Sequence, residues 1–322
     1  MIRSIAGAFS ICDRNPQPNA APAGCATSLY GSKDSQPSLP YTKVAWVWLY
    51  GHNQMSILLI GYDVESNSEA PSFLANVLPL HKELEAPCTF FILGSVLEAN
   101  APCFKPFVGE PLFDLAQHTY SHVLLKTVLM DDGKKLELFR GGTPEQIDDE
   151  VGRTNKLLLD VLGIRCEGLA GPYCYYRGLA DRPDLLDILA KHGILYLRTY
   201  ARDHRDYQPT PIDVQPFWYD LQSHPDMLEC MAHGWQDVYL RGMLGWENVD
   251  GYVETTVRDL EYVASADFTY SLCAHDWSST RPDPSMPAMR RIIGSARSLG
   301  MEILSYRDYY QRRISERDNA RD

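Results

Sequence analysis

The stretch Ile57-Leu58-Leu59-Ile60-Gly61-Tyr62-Asp63-Val64-Glu65 decides how this chain is read. From Ile57 to Tyr62 it is short and almost continuously apolar, as expected of a strand buried on both faces, and it ends in two carboxylates. Downstream the pattern alternates. A helix is expected over Phe73–Leu84, a strand over Thr89–Leu93, and another over Phe113–Ala116, just before a histidine. Thr143-Pro144-Glu145-Gln146 reads as a helix start: Thr143 caps, Pro144 suits the first helical position, and Gln146 can close a capping box. Ile147, Val151, Leu158 and Leu162 continue it at helical spacing, and Gly163 ends it. Then come a strand at Cys166–Leu169, a helix at Pro183–His192 and a strand at Leu195–Thr199. Later strands are expected at Met227–Met231 and Thr269–Cys273, a helix at Pro287–Leu299, and a last strand at Glu302–Ser305. Such alternation implies an α/β fold with a parallel sheet, most simply closed as a barrel.

The 322 residues carry 30 Lys+Arg against 42 Asp+Glu, a net charge of −12, with 45% apolar residues. Globular composition with that acidity argues against nucleic acid or an anionic membrane surface as the main partner. No apolar run approaches the roughly 20 residues of a membrane span. Ile5–Ile11 after Arg3 is too short and weak for a signal peptide, and eight cysteines without a C-x-x-C suit a reducing compartment, so the cytoplasm is the expected location. Residues 1–50, rich in Pro, Ala, Ser and Asn between Asn15 and Pro40, are expected to be a poorly periodic extension. Residues 51–315 are expected to form the barrel and residues 316–322 a charged tail. Nothing in the pattern fixes oligomeric state, and a homo-oligomer stays open.

Catalytic groups of a parallel barrel belong at the C-terminal ends of its strands. Those ends carry Asp63 and Glu65, then His118 and His122, then Gly171-Pro172-Tyr173, then His275-Asp276-Trp277. Asp63 and Glu65 are two apart and share a side in extended chain; the plain alternative is a solvated acidic loop. His118 and His122, four apart, are expected on one face of a helical turn, where such a pair can chelate a metal; ordinary surface histidines are the rival reading. With Glu65 they would make a ligand set of two histidines and one carboxylate, leaving Asp63 free as a base. A lone His275 would more often be a satisfied core residue. Trp277, Trp235 and Trp218 are candidates to line a sugar-binding groove, against core packing.

These stretches resemble the polysaccharide deacetylase family, the NodB-homology or carbohydrate esterase family 4 group, from about Ile57 to Tyr310. Ile60–Glu65 resembles its first motif in an Asp-x-acid variant, and Thr89–Gly94 its second strand. His118-Thr119-Tyr120-Ser121-His122 matches its H-[ST]-x-x-H metal motif. Ala170-Gly171-Pro172-Tyr173 stands where the family has R-x-P-Y, and Leu272–Asp276 resembles its Leu-x-x-His motif. The resemblance implies a distorted (β/α) barrel of seven or eight parallel strands and a metal-dependent hydrolase of an amide C–N bond, removing acetyl groups from an N-acetylated sugar, a polysaccharide or a small N-acyl substrate. By the same resemblance, Glu65, His118 and His122 would hold a divalent metal, zinc. Asp63 would be the base, His275 the acid, the Tyr173 backbone N–H an oxyanion donor, and Pro172, Trp277 and Trp235 substrate contacts.

The departures define what the fold has to answer. Ala170 replaces the arginine that pairs with the base, so Asp63 would lack its charge partner unless Arg177, seven residues on, reaches it. Glu65 is one methylene longer than the usual ligand. Cys174 takes the place of a glycine and reads as a packing residue. Asp203 or Asp206 could orient His275. A metal-free hydrolase of cyclic amides or ureides, and a carbohydrate-binding barrel that has lost catalysis, stand as alternatives.

Overall fold

The computed structural model describes residues 55–320. The chain divides at Gly51/His52, and the expected extension over residues 1–50, with Cys12 and Cys25, lies outside the described residues. The second unit runs β1 (Ile57–Val64), α1 (Ala70–Glu83), β2 (Cys88–Ile92), α2 (Gly94–Phe104), β3 (Phe113–Gln117), β4 (Val128–Asp131), β5 (Leu136–Phe139), α3 (Pro144–Leu162), β6 (Gly168–Tyr175), α4 (Pro183–Lys191) and β7 (Tyr196–Tyr200). It continues with β8 (Phe217–Tyr219), β9 (His224–Glu229), α5 (Asp237–Leu244), α6 (Val249–Ala266), β10 (Thr269–His275), α7 (Asp276–Thr280), α8 (Pro287–Ser298), β11 (Glu302–Leu304) and α9 (Tyr306–Asn319).

The main sheet has the order β10-β1-β2-β3-β6-β7-β9-β8, with β11 paired to β1 beside β2. All its strands run parallel except β8, which returns antiparallel along β9. The ladder does not close. Between β9 and β10 the wall is completed by the chain just beyond β9, where His233 N–H donates to Ser271 O at 2.9 Å and the Ser271 hydroxyl donates to Met231 O at 2.5 Å. This is an open, barrel-like parallel sheet.

Every residue of β1, β2, β3, β7 and β10 is buried, which for β1 explains the nearly continuous apolar run Ile57–Tyr62. The two-residue alternation divides them between two cores. Leu58, Ile60, Tyr62 and Val64 meet the surrounding helices, while Ile57 and Leu59 join Phe91, Ala116, Ala170, Tyr196 and Leu228 in the interior. That parity carries Asp63 and Glu65 to the inner side. Helix α9 closes the N-terminal ends of the strands. Tyr306 N–H donates to Thr89 Oγ1 (2.9 Å), Tyr309 bonds Thr269 (3.3 Å), and the Tyr310 hydroxyl donates to Asp226 O (3.0 Å). The charged segment Arg312–Asn319 is the outer part of this helix, and Arg312 is paired with Glu302 at 2.6 Å.

The capping box at Thr143 forms as read, with Gly163 in the left-handed region at φ 69°. The long stretch 126–142 carries a hairpin, β4 paired antiparallel to β5. Its short strands are apolar but alternate in exposure, with Val128 and Met130 buried and Leu129, Leu136 and Leu138 exposed. Among the described residues no helix is long and apolar enough to cross a membrane.

Candidate active site

Glu65, just past the end of β1, is the hub. Its Oε1 lies 3.1 Å from His118 Nε2 and 3.1 Å from His122 Nε2. The two histidines do not ride a helical turn as expected: residues 118–122 form a loop with Thr119 and His122 in the left-handed region, at φ 62° and 66°. Loop backbone with side-chain anchors brings the rings together. Glu150 of α3 supplies those anchors by accepting from Tyr120 N–H (2.9 Å), Ser121 N–H (2.7 Å) and the Ser121 hydroxyl (2.7 Å). His118 Nδ1 bonds Ala170 O at 2.9 Å. A carbonyl only accepts, so the neutral ring carries its lone pair on Nε2, the atom facing Glu65.

Asp63, on the inner face of β1, is 4% exposed. Its Oδ1 takes an ion pair from Arg198 Nη2, and its Oδ2 lies 3.8 Å from both His118 Nε2 and His275 Nε2. Arg198 settles the question raised by Ala170. The two residues are register partners on adjacent strands, so the cation has moved one strand sideways and reaches the same carboxylate. Arg177 does not supply it. From sequence the exchange was hidden, because neighbouring strands in space need not carry any spacing signal in the chain.

His275 ends β10. Its Nδ1 bonds Asp237 Oδ1 at 2.7 Å, its backbone N–H donates to Asp237 Oδ2 at 2.9 Å, and the Ser278 hydroxyl also donates to Asp237. Asp203 and Asp206 are engaged elsewhere, Asp203 with Arg205 and Asp206 with Leu129 N–H. Burial disfavours the charged imidazole of His275, but Asp237, Glu65 and Asp63 outweigh it and raise its pKa to about 10. Burial likewise opposes ionisation of Glu65, yet His122 and His275, with the close approach of the His118 and His122 rings, hold it well below the usual carboxylate range. Asp276, buried and accepting from Ser66 N–H at 3.0 Å, is pushed by burial up to about 7.

Tyr173 and Cys174 are both left-handed, at φ 64° and 51°. Such backbone costs roughly 1–3 kcal/mol per residue and persists only where surroundings enforce it. Arg202 does so, with Nε donating to Tyr173 O at 2.7 Å and Cys174 O at 3.0 Å. Cys174 packs with Ala201, Ala232 and Cys273 in a small interior cluster, as its packing reading anticipated. Trp277 stacks beside His275 (centroids 5.6 Å) and Trp246 (5.7 Å), whereas Trp235 packs on Tyr207 against the main core. Trp218 sits against Tyr310 of α9, away from the strand ends that carry the site. Pro172 is buried in β6 beside Tyr173.

The donor set suits a divalent cation. Two imidazole nitrogens and a carboxylate oxygen lie within 4.8 Å of one another, and the neighbourhood holds the further carboxylates Asp63, Asp237 and Asp276. The cluster lies at the C-terminal ends of the parallel strands, where such sheets carry their active sites. Residues 55–197 match the model of the family described as polysaccharide deacetylase. Asp237 and His275 lie beyond the matched stretch. Among solved structures, a Mycobacterium smegmatis protein assigned provisionally to the polysaccharide deacetylases is 15% identical with a TM-score of 0.61, over 84% of this chain and 94% of that one. A Bacillus anthracis CE4 family pseudoenzyme is 12% identical with a TM-score of 0.50, over 80% and 66%. At these identities the likeness is one of fold. No curated protein sequence matches the chain.

Proposed function

We propose that the chain is a metal-dependent deacetylase that hydrolyses the amide of an N-acetylated sugar or polysaccharide. The observation that carries this reading is the meeting of His118 Nε2 and His122 Nε2 on one oxygen of Glu65, with Asp63 and His275 beside them. Glu65, His118 and His122 would hold the ion, zinc by the chemistry of the donors; bound there, it supplies Lewis acidity and a water of lowered pKa.

The chain's own groups do the proton work. Arg198 holds Oδ1 of Asp63, so Oδ2 is turned to the triad and can take the proton of an attacking water. His275, with Nδ1 tied to Asp237, keeps its transferable proton on Nε2 and can give it to the departing amine. The Tyr173 N–H is assigned to the developing oxyanion, held in its strained turn by Arg202. Trp277 offers a ring face beside His275 for a sugar; Trp235 and Pro172 have the weaker claim, because both are engaged in packing. The inactive-barrel reading rested on Ala170; the Arg198–Asp63 pair supports the catalytic reading over it.

Metal content and acetate release test this together. Protein purified without chelators is expected to carry a divalent ion that His118→Ala loses, and to release acetate from N-acetylglucosamine oligomers until Asp63→Asn stops it. Active protein without metal would sink the metal-dependent reading and favour the cyclic-amide hydrolase instead.

A further inference from the structure

Beside the triad lies a second set of donors that the reaction as proposed does not need as a set. Asp63, Cys273 and His275 place one carboxylate oxygen, one sulfur and one imidazole nitrogen within 4.8 Å of one another. All three side chains face the interior. Cys273 is 1% exposed and His275 9%. Asp63 Oδ2 lies 3.9 Å from Cys273 Sγ and 3.8 Å from His275 Nε2. Those separations are about 0.5 Å longer than the edges of a tetrahedron whose centre bonds N and O at about 2.0 Å and S at about 2.3 Å, a gap that small side-chain rotations close.

The second nitrogen of the ring is already committed. His275 Nδ1 is bound to Asp237 Oδ1 at 2.7 Å, the carboxylate–histidine arrangement that fixes an imidazole for ligation through its other nitrogen. Nε2 itself is beyond hydrogen-bond reach of the carboxylates it faces, at 3.8 Å from Asp63 and 4.0 Å from Glu65. The set is therefore a buried, oriented nitrogen aimed at an oxygen and a sulfur. Sulfur selects soft ions such as Zn2+ and Cd2+ over Mg2+.

We propose that Asp63, Cys273 and His275 form a second site for a soft divalent ion, weaker than the triad, and that filling it shuts the hydrolase down. Two features make it the weaker one. The buried thiol must release its proton to solvent as the sulfur binds, and Asp63 already shares its charge with Arg198. Inhibition follows from the proposed roles of Asp63 and His275 and rests on that reading; the binding itself does not. An ion held there would occupy both proton-transfer groups at once.

The full chain, stripped of metal, is titrated with Zn2+ by calorimetry and with Cd2+ while the ultraviolet thiolate-to-metal charge-transfer band is followed. Two ions per chain are expected, the band arising only with the second. Cys273→Ala and Cys273→Ser, checked for folding by their thermal melts, are expected to lose the second ion and the band, while Cys174→Ala keeps both. A single ion in the parent chain, or a band that survives Cys273→Ala, overturns the site. His118→Ala is expected to lose the first ion and keep the band, so a failure of the triad reading shows separately. Zn2+ beyond the first equivalent is expected to bring acetate release down to background in the parent chain, with Cys273→Ala protected and Mg2+ without effect. A parent chain that holds both ions at undiminished rate overturns the inhibitory role.

Discussion

His81, on α1 against the outer face of the sheet, and His275, at the end of β10, are both buried imidazoles, and they carry opposite charge states. His81 Nδ1 meets Ala86 O at 2.6 Å and Nε2 meets the Tyr62 hydroxyl at 2.9 Å, so burial dominates and its pKa falls to about 4. His275 is equally removed from water, but Asp237, Glu65 and Asp63 surround it and its pKa rises to about 10. Burial alone strips charge from a histidine; carboxylates packed against it restore the charge. The site is thus the place where the fold concentrates buried acids, and the structural histidine shows what the same interior does without them.

Asp237→Asn should break the contrast most. Without the carboxylate the His275 pKa falls toward its ordinary value, so the high-pH limb of the rate profile moves to lower pH. Loss of an oriented general acid is expected to lower kcat by about 10²–10⁴-fold. A kcat unchanged with acetate as product would remove His275 from the proton transfer.

Arg198→Ala comes next. It leaves Asp63 buried without its cation, and removing one partner of a buried ion pair costs about 3–5 kcal/mol. Because Ala170 is the register partner of Arg198, Ala170→Arg in that background should recover both thermal stability and acetate release. Failure of the double variant to exceed Arg198→Ala in either measurement would show that the strand of origin matters and the charge alone does not.

This exchange also marks the limit of what the chain reveals in one dimension. The strand run ending in Asp63 and Glu65, the capping box at Thr143 and the pairing of His118 with His122 were legible because each is local, although the histidine spacing was read as a helical turn and is a loop. Arg198, Asp237, Glu150 and Arg202 were not. Each acts across strands or from a helix onto a loop, where register, not spacing, decides who meets whom. Asp203 and Asp206 were attractive partners for His275 only because they also follow a strand. The hairpin over Val128–Phe139 escaped for a different reason: its strands are four residues each, too short for their alternating burial to stand out in the sequence.

His81 gives the complementary measurement, in stability. Its folded pKa, depressed to about 4, lies below the unfolded value near 6.5, so the unfolded chain takes up a proton first as pH falls. The stability it contributes is complete above about pH 6.5 and is lost progressively down to about pH 4, amounting to roughly 3 kcal/mol over that interval. His233, held neutral by burial with Nε2 on Val214 O at 2.8 Å, adds a loss of the same sign in the same window. Urea midpoints for His81→Gln between pH 7 and 4 should fall less steeply than those of the parent chain; equal slopes would show that His81 is not held neutral.

The smallest effect is expected at Glu150, which touches neither substrate nor ion. It fixes the His118–His122 loop through three hydrogen bonds to Tyr120 and Ser121, two of them from backbone N–H groups. Glu150→Gln keeps the shape and halves the accepting capacity, so the left-handed residues Thr119 and His122 lose their anchor and the rings their fixed approach to Glu65. Supporting groups of this kind are worth about 10–100-fold in metal affinity. Calorimetric titration of the first Zn2+ should show that loss, with the thermal midpoint of the metal-free chain nearly unchanged. An affinity equal to the parent's would mean that the loop is held by its own backbone, and that the contrast between the two histidine environments needs no help from α3.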